Sequence, residues 1–395
     1  MKIKEKTIRP HSEIGSGRVK QYVLPKGKKI TQITTFCPDI IGPGPTHIYV
    51  IEDRALTMVD TGIPTYLAKE LFYYWRNQKI PSKVKSLPGD FSETELVTGL
   101  KEVGYSLKDI ELIIITHGHP DHYFLGKTII ERSRAKVSSH VLDTDRICNP
   151  WTISRNAVNG RPRYLAMGMP RPKSSALEYH NDAMQESSKL LLKVDFPIIT
   201  DGLLSLDGIS SDSITVKHSP GHSPGSICLI VGSKEDEERI LICGDVLLYP
   251  ITPHPDDLVA YLRTLNDLRQ LKNIAISLPA HGKNIRDLYG RIDFLKKHHR
   301  SRLEFTYRAC SKPKSAWDIA TMPHYFDVFV DPDRFNPIAG NEAYAHIRLL
   351  EMAEGLYRSN IDGVVHYFQN TGEEFDQVYE RVMEIIDDRR STVLL

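Results

Sequence analysis

Apolar residues along this chain recur at two different spacings, which predict alternating strands and helices. The uninterrupted run Leu112–Ile115 predicts a strand buried on both faces, of the kind found in a sheet covered by helices. Residues 93–103 carry apolar side chains at helical spacing, and Ser92 with Glu95 predicts a capping box at the start of that helix. Because strand–helix–strand order occurs twice along the chain, the pattern predicts an α/β fold built from two similar halves.

The C-terminal part of the chain, from residue 287 onward, follows a different and mainly helical pattern. Its predicted helices cover residues 289–310, 315–320, 341–357 and 373–389. Residues 361–368, followed by a turn-forming segment, predict a two-stranded wing. The chain is therefore predicted to divide into residues 1–286 and residues 287–395.

Residues 141–195 form a connection that is longer than two neighbouring strands require, which predicts a helical insertion or a lid. Four cationic residues of this segment are candidates for binding the substrate: Arg161, Arg163, Arg171 and Lys173. Two interpretations remain open, a solvated surface loop and a lid whose cations bind an anionic group such as a phosphate.

Composition and charge exclude several classes of protein. The chain has 395 residues, of which 41% are hydrophobic and 26% charged, as in an ordinary soluble globular protein. Lys and Arg number 51 against 50 acidic residues, so no overall field attracts nucleic acid or an anionic membrane. Five scattered cysteines predict reduced thiols, and neither a signal peptide nor a membrane span is predicted, so the expected location is the cytoplasm.

The strongest chemical signal directly follows the strand Leu112–Ile115. In extended backbone the side chains of His117, His119 and Asp121 project to the same side, and a helix beginning at the intervening proline turns His122 back toward them. A lone histidine at this place is usually a turn residue, but four such side chains in six positions would be crowded and poorly solvated without a cation. The segment therefore predicts a site for a divalent transition metal.

Four further motifs follow or precede this one in an ordered series. They are Asp60 in Asp-Thr-Gly, His222 in Pro-Gly-His-Ser-Pro-Gly, Asp245 in Gly-Asp after an apolar strand, and His281 in His-Gly after another strand. The whole series, over about residues 30–290, resembles the signature of the metallo-β-lactamase superfamily. The resemblance implies a four-layer αββα sandwich, and the C-terminal pattern is similar to the winged-helix appendage of some glyoxalase-II-like members.

The resemblance also implies roles for the individual residues. One metal is assigned to His117, His119 and His222, and a second to Asp121, His122 and His281, with Asp245 bridging both. Asp60 is expected to support the site without binding metal, whereas His140 either lines the cleft or is an ordinary polar residue at a strand end. The expected cofactors are two divalent ions, with Zn²⁺ as the default for imidazole-rich sites and iron or manganese as alternatives.

The expected activity is hydrolysis by a metal-bridging hydroxide that Asp121 helps to orient. His119 stands where flavodiiron relatives carry glutamate, and Asp245 stands where many true β-lactamases carry cysteine, so oxygen reduction and antibiotic hydrolysis are disfavoured. An acyl thioester, ester or lactone, such as an acyl-CoA, is the preferred small-molecule substrate. Alternatives are a metal-dependent endoribonuclease or phosphodiesterase, a mononuclear iron oxygenase, and a non-catalytic binding protein. Nucleic acid is not favoured as a partner because the third C-terminal helix has no basic face, and a homodimer is compatible with the sequence.

Overall fold

Two β-sheets lie face to face, and helices cover the outer side of each. The computed structural model describes residues 2–38, 43–71, 79–149, 161–171, 186, 188–370 and 372–388. The α/β sandwich expected from the sequence is confirmed, and the C-terminal region is mainly helical.

The first sheet has eight strands whose order in space follows their order in the chain. They are β1 (Lys4–Arg9), β2 (Val19–Val23), β3 (Lys29–Thr35), β4 (Thr46–Glu52), β5 (Leu56–Val59), β6 (Leu112–Ile115), β7 (Lys136–His140) and β8 (Phe196–Ile198). Strands β1 to β5 pair antiparallel, whereas β5 to β8 pair parallel. Because parallel strands end at the same edge, the segments after β5 and β6 lie side by side.

The second sheet has five strands in the order β13-β12-β11-β10-β9. They are β9 (Gly202–Leu206), β10 (Ile209–His218), β11 (Ile227–Val231), β12 (Arg239–Gly244) and β13 (Ile274–Pro279). Strands β12 and β13 are parallel, so the two residues that follow them, Asp245 and His281, lie at one edge. A third sheet in the C-terminal region consists of β14 (Lys314–Ser315), β15 (Leu356–Ile361) and β16 (Val364–Gln369), with β16 in the middle.

Twelve α-helical segments are found in the described part of the chain. They are α1 (Thr65–Lys69), α2 (Ser82–Lys85), α3 (Phe91–Glu102), α4 (Pro120–Tyr123), α5 (Gly126–Arg132), α6 (Thr144–Cys148), α7 (Arg161–Ala166), α8 (Leu258–Leu268), α9 (Leu288–Ala309), α10 (Ala316–Ala320), α11 (Pro337–Met352) and α12 (Phe375–Asp387). Within the described ranges, none combines the length and apolar character needed to cross a membrane.

Strand β6 shows why its sequence is apolar without interruption. Leu112 and Ile114 point into the core between the two sheets, whereas Ile113 and Ile115 point into the core beneath the helices of the first sheet. All four side chains are fully buried. A strand covered on both faces leaves no position for a polar side chain, so the first polar residues come at its end.

The outer face of the second sheet is covered by α8 and by the C-terminal helices. One continuous apolar cluster contains Leu241 of β12, Leu262 of α8, Leu295 of α9 and Leu350 of α11. The predicted division of the chain near residue 287 stays a prediction, but the apolar core continues across it.

Two local predictions were wrong. Helix α3 begins after Asp90, and Ser92 and Glu95 bind tertiary partners instead of forming a capping box: Ser92 Oγ contacts Thr65 Oγ1 at 2.7 Å, and Glu95 accepts from the Phe36 amide at 2.8 Å. Both side chains therefore join α3 to the rest of the molecule rather than to its own first turn.

The predicted helix 341–357 also has different ends. It begins at Pro337, where the Asn336 side chain caps it, and ends at Met352. Strand β15 follows, and the hairpin turns at Asp362 and Gly363, which both have positive φ. An Asp-Gly pair favours this tight turn. The first strand of the hairpin therefore begins at Leu356, before the segment 361–368 predicted to form the wing.

Candidate metal centre

The chain changes from strand to helix within the metal-ligand motif. His119 has extended backbone and precedes α4, which begins at Pro120. His117 and His119 therefore point the same way, and the first turn of α4 brings His122 back over the end of β6. Gly118 is required for packing, because a Cβ there would lie 2.8 Å from the Cβ of Arg146. The space beside Gly118 is thus occupied by the Arg146 side chain and is not open to a ligand.

The first group of converging side chains is His117, His119 and His222. His117 Nε2 lies 2.9 Å from His119 Nδ1, and His222 Nε2 lies 3.2 Å from the former and 3.1 Å from the latter. A tetrahedral ion with bonds of about 2.0–2.1 Å would hold its nitrogen ligands roughly 3.3 Å apart. The triangle of nitrogens has close to this size.

The second group is Asp121, His122 and His281. Asp121 Oδ2 lies 3.3 Å from His281 Nε2 and 3.8 Å from His122 Nε2. These atoms are contributed by the start of α4 and by the residue pair after β13, so the edges of both sheets supply ligands. Metal-ligand geometry is therefore available at a second point beside the first.

Asp245 lies between the two groups. Its Oδ2 is 3.6 Å from His222 Nε2 and 3.7 Å from His122 Nε2, and its Oδ1 is 3.6 Å from His281 Nε2. Oδ2 of this carboxylate thus faces a nitrogen of each group, and Oδ1 faces a further nitrogen of the second group. This is the arrangement expected of a residue shared by two cations.

Several of the converging nitrogen and oxygen atoms have no hydrogen-bond partner among the described residues, which leaves them available to bind a metal ion. His122 Nε2, His281 Nε2 and Asp245 Oδ1 are buried without a hydrogen-bond partner. Buried polar atoms without partners are costly, and three of them directed at one place indicate a cation site. The seven side chains predicted from the sequence all lie at this place.

Asp60, the residue expected to support the site, contacts Thr116 and the ligand residue His122. Its carboxylate accepts hydrogen bonds from the Thr116 amide at 2.7 Å and hydroxyl at 2.8 Å, and from His122 Nδ1 at 2.8 Å. Thr116 Oγ1 in turn lies 3.2 Å from His117 Nδ1. Asp60 therefore orients the rings of His122 and, through Thr116, His117.

Backbone carbonyls orient two more rings. His222 Nδ1 donates to the carbonyl oxygen of His254 at 2.7 Å, and His281 Nδ1 donates to those of Gly44 at 3.1 Å and Pro45 at 3.2 Å. A carbonyl oxygen can only accept, so Nδ1 carries the proton and Nε2 keeps a free lone pair. That tautomer is the one a metal ligand requires.

The environment of the first group favours neutral imidazoles. Burial and the neighbouring histidines lower the pKa of His117 well below its ordinary value. Burial also lowers the pKa of His119 to about 4 and lowers that of His222. These three nitrogens therefore hold lone pairs available to a cation at neutral pH.

The environment of the second group is anionic. Burial opposes charge on His122, but the carboxylates of Asp60, Asp121 and Asp245 outweigh it and raise the pKa well above the ordinary value. Burial likewise opposes charge on His281, whose pKa Asp245 and Asp121 raise. Burial also disfavours ionised Asp121, yet His122 and His281 lower its pKa to about 2. This cluster of carboxylates attracts positive charge, whether protons or metal ions.

Sequence reasoning missed Asp143, which joins the two loops of the first group. Its carboxylate accepts hydrogen bonds from the amides of Gly118 at 2.8 Å and Gly225 at 3.0 Å and from Ser223 Oγ at 2.6 Å. A Cβ on Gly225 would lie 2.7 Å from Asp143, which explains the glycine. A carboxylate soon after the β7 strand was the available signal.

The remaining candidate residues make other contacts or lie outside the described residues. His140 stacks on His218 with ring centroids 3.8 Å apart and accepts from the Leu142 amide. Arg163 packs over the Tyr344 ring at 5.0 Å on α11, and Arg171 is exposed. Lys173 and the side chain of Arg161 lie outside the described residues. The substrate-binding role of Arg161, Arg163, Arg171 and Lys173 stays a prediction, as does the role of His140 in lining the cleft.

Two facing sheets with a histidine- and aspartate-rich centre at their common edge define a metal-dependent hydrolase as the class of protein. The family model of the Metallo-beta-lactamase superfamily matches residues 41–303, more than half of the chain. The chain therefore belongs to the metallo-β-lactamase superfamily, and the enzyme class expected from its sequence is confirmed.

Individual relatives agree with this assignment. The chain is 23% identical over 351 residues to the Probable metallo-hydrolase YqjP of Bacillus subtilis (strain 168), covering 84% of this chain and 95% of the relative. A metallo-beta-lactamase family protein from Thermus thermophilus has the same fold, with a TM-score of 0.65, 20% identity, and 86% of this chain and 98% of that chain covered. A beta-lactamase domain protein from Burkholderia ambifaria gives a TM-score of 0.64 at 21% identity, with coverages of 91% and 95%.

Proposed function

We propose that this protein is a binuclear hydrolase that cleaves an acyl thioester, ester or lactone, with an acyl-CoA as the representative substrate. The observation that carries the proposal is the position of Asp245 between two three-residue groups of ligand atoms. The relative from Bacillus subtilis, itself named a probable metallo-hydrolase, supports the reaction class. We assign the chain to the glyoxalase-II-like branch, with residues 287–395 as a winged-helix-like unit.

The side chains divide the work in this proposal. His117, His119 and His222 hold one cation, and Asp121, His122 and His281 hold the other. Two divalent cations, Zn²⁺ by preference, supply Lewis-acid polarisation of the scissile carbonyl and activation of a water molecule. Asp121 is the proposed catalytic residue because it is the carboxylate of the second group, 3.3 Å from His281 Nε2, and its lowered pKa keeps it ionised and able to accept a hydrogen bond from a water molecule.

The choice of an acyl substrate depends on charge. The chain has nearly equal numbers of cations and anions, whereas an RNA requires a broad cationic surface. A coenzyme-A-sized ligand needs only a few cations at one rim, which residues 161–173 supply in this proposal.

The test is a panel of acyl-CoA thioesters, simple esters, lactones and single-stranded RNA with the full-length, metal-reconstituted protein. We expect thioester or ester hydrolysis that H222A and D245A abolish. Cleavage of RNA alone, also lost in these variants, would replace the proposed substrate class while keeping the metal centre. Failure of the wild-type protein to retain any metal would overturn both.

A further inference from the structure

The segment between β12 and α8 lies against both the metal centre and the C-terminal helices. We name residues 249–257 of this segment the His254 loop. The carbonyl oxygen of His254 accepts the Nδ1 proton of His222 at 2.7 Å, and the Asp257 amide donates to the carbonyl oxygen of Gly221, beside His222, at 3.0 Å. The orientation of His222 therefore depends on where this loop is held.

A buried carboxylate from α11 holds the side chain of the same residue. His254 Nδ1 donates to Glu342 Oε2 at 2.7 Å, and Arg302 of α9 donates to Glu342 Oε1. Glu342 is only 3% exposed. Burial alone would raise its pKa, but the hydrogen bond from His254 and the charges of His254, His346 and Arg302 hold that pKa well below its ordinary value. The carboxylate is therefore charged and paired on both oxygens.

A second arginine of α9 holds the beginning of the His254 loop. Arg291 Nε donates to the carbonyl oxygen of Leu248 at 2.7 Å, and its Nη2 donates to that of Ile251 at 2.6 Å. The loop is thus bound by α9 at its start and by α11 at His254. Both contacts come from the part of the chain that follows residue 287.

The same region raises the question of a further metal site, since ligand atoms of His298, His299 and Glu342 lie within 4.8 Å of one another. The guanidinium of Arg302 already binds Glu342 and lies 4.8 Å from the Phe326 ring centroid. A second cation beside it would be repelled. Arg302 therefore supplies the positive charge in this cluster in place of a metal ion. The cluster is connected to the metal centre through the hydrogen bond between Glu342 and His254.

We propose that Glu342 is a positioning residue for the metal ligand His222, acting through the side chain and carbonyl of His254. The inference rests on the proposed metal centre and assigns the C-terminal helices a part in it. Without Glu342, His254 loses the partner of its Nδ1, the middle of the loop is no longer held by α11, and the carbonyl oxygen of His254 fixes the His222 ring less firmly. Mutation of residues that support a metal-binding imidazole from outside the ligand set typically weakens metal binding by about 10–100-fold.

The test measures metal binding and not turnover. Full-length E342A is titrated with Zn²⁺ against a chromophoric chelator, and its Co²⁺-substituted form is examined by visible absorption. We expect at least tenfold weaker binding of one metal equivalent and a changed cobalt spectrum. The double variant R302M/E342Q keeps an amide oxygen for His254 and removes the guanidinium that would face the amide NH₂, so we expect binding near the wild-type level.

Two further variants separate positioning from general damage. E373Q removes a carboxylate that binds Arg381 within the same helical region, and it should leave metal affinity unchanged. H254A removes the link from the loop side without leaving Glu342 unpaired, so it should weaken binding like E342A even if the latter fails to fold. Wild-type affinity and an unchanged cobalt spectrum in folded E342A or H254A would overturn the inference. A wild-type protein that binds no metal would instead overturn the proposed centre itself.

Discussion

The residues that do not touch the proposed metals decide how well the metal ligands are placed. Asp60 has a positive φ of 59°, a conformation that L-residues other than Asn and Asp rarely adopt, and from there it reaches both Thr116 and His122. Asp143 likewise joins loops that are distant in the chain. Each carboxylate is replaceable by a residue of similar size, so the role of each is measurable.

Replacing Asp60 by Asn should weaken metal binding while preserving the fold. Asn tolerates the same backbone conformation, but its amide can no longer accept all three hydrogen bonds, and the charge beside His122 is lost. We expect about 10–100-fold weaker binding of one metal equivalent, measured by chelator competition. D53N, which removes a buried carboxylate that binds Lys28 and Ser211, is the matched control and should bind normally. Equal affinities in the two variants would contradict this role.

Removing the Asp143 carboxylate should destabilise the protein. Three hydrogen bonds are lost in D143A, two of them from backbone amides that remain buried without partners. A loss of about 2–4 kcal/mol in the free energy of unfolding is expected, since bonds to charged groups contribute about 1.5–3 kcal/mol each and are not additive. Urea unfolding of metal-free protein measures it. S223A removes one of the three donors, and an equal loss in S223A would show that the carboxylate does not join the loops.

Among the elements, α3 is held to the first sheet by a buried acid. Glu95 accepts from the Phe36 amide and from Ser16 Oγ at 2.5 Å. Burial raises its pKa to about 7 from the ordinary 4.5, against the lowering effect of these hydrogen bonds. The folded state therefore binds a proton more tightly than the unfolded state does. The contribution of this group to stability is complete below about pH 4.5 and is lost as the pH rises through 7.

The variant E95Q should remove this pH dependence. The glutamine amide oxygen can accept from the Phe36 amide as the Glu95 carboxyl does, its NH₂ can donate to Ser16 Oγ in place of the bond that Glu95 accepts, and it never ionises. We expect E95Q and wild type to be nearly equally stable near pH 4.5, and E95Q to be more stable at pH 8 by on the order of 3 kcal/mol. Urea unfolding at both pH values measures the difference. E93Q on the same helix, whose carboxylate pairs with Arg132 at the surface, should show no such change. A constant difference between E95Q and wild type at both pH values would refute the raised pKa.

The elements that the sequence predicts well are those whose cause is local. The strand β6, the start of α4 at Pro120 and the ligand motif follow from neighbouring residues. Contacts such as Asp143 with Gly225, 82 residues apart, arise only when the two sheets meet. The false capping box at Ser92 has the same origin, because tertiary partners took the polar groups that local geometry would have used.

At the scale of the whole molecule, three parts of the fold build the candidate metal centre: the first sheet, the second sheet and the C-terminal helices. The carboxyl ends of β5 and β6 supply Asp60 and the first ligand motif, and those of β12 and β13 supply Asp245 and His281. The third contribution comes from α9 and α11, which bind the His254 loop behind His222. The helices that follow residue 287 thus contact the segment whose His254 carbonyl oxygen orients His222.

A chain ended after residue 286 should therefore fail to form a stable, metal-binding sandwich. It would expose Leu241 of β12 and Leu262 of α8, which pack in one cluster with Leu295, and it would free the carbonyl oxygens that Arg291 binds. We expect binding of a hydrophobic dye, a broad urea transition and weakened metal binding relative to the full chain. Near-ultraviolet circular dichroism and chelator competition check this outcome. A fragment that unfolds sharply and binds metal like the full chain would show that residues 1–286 are an independent domain, and that the helices beyond it do not hold His222 in place.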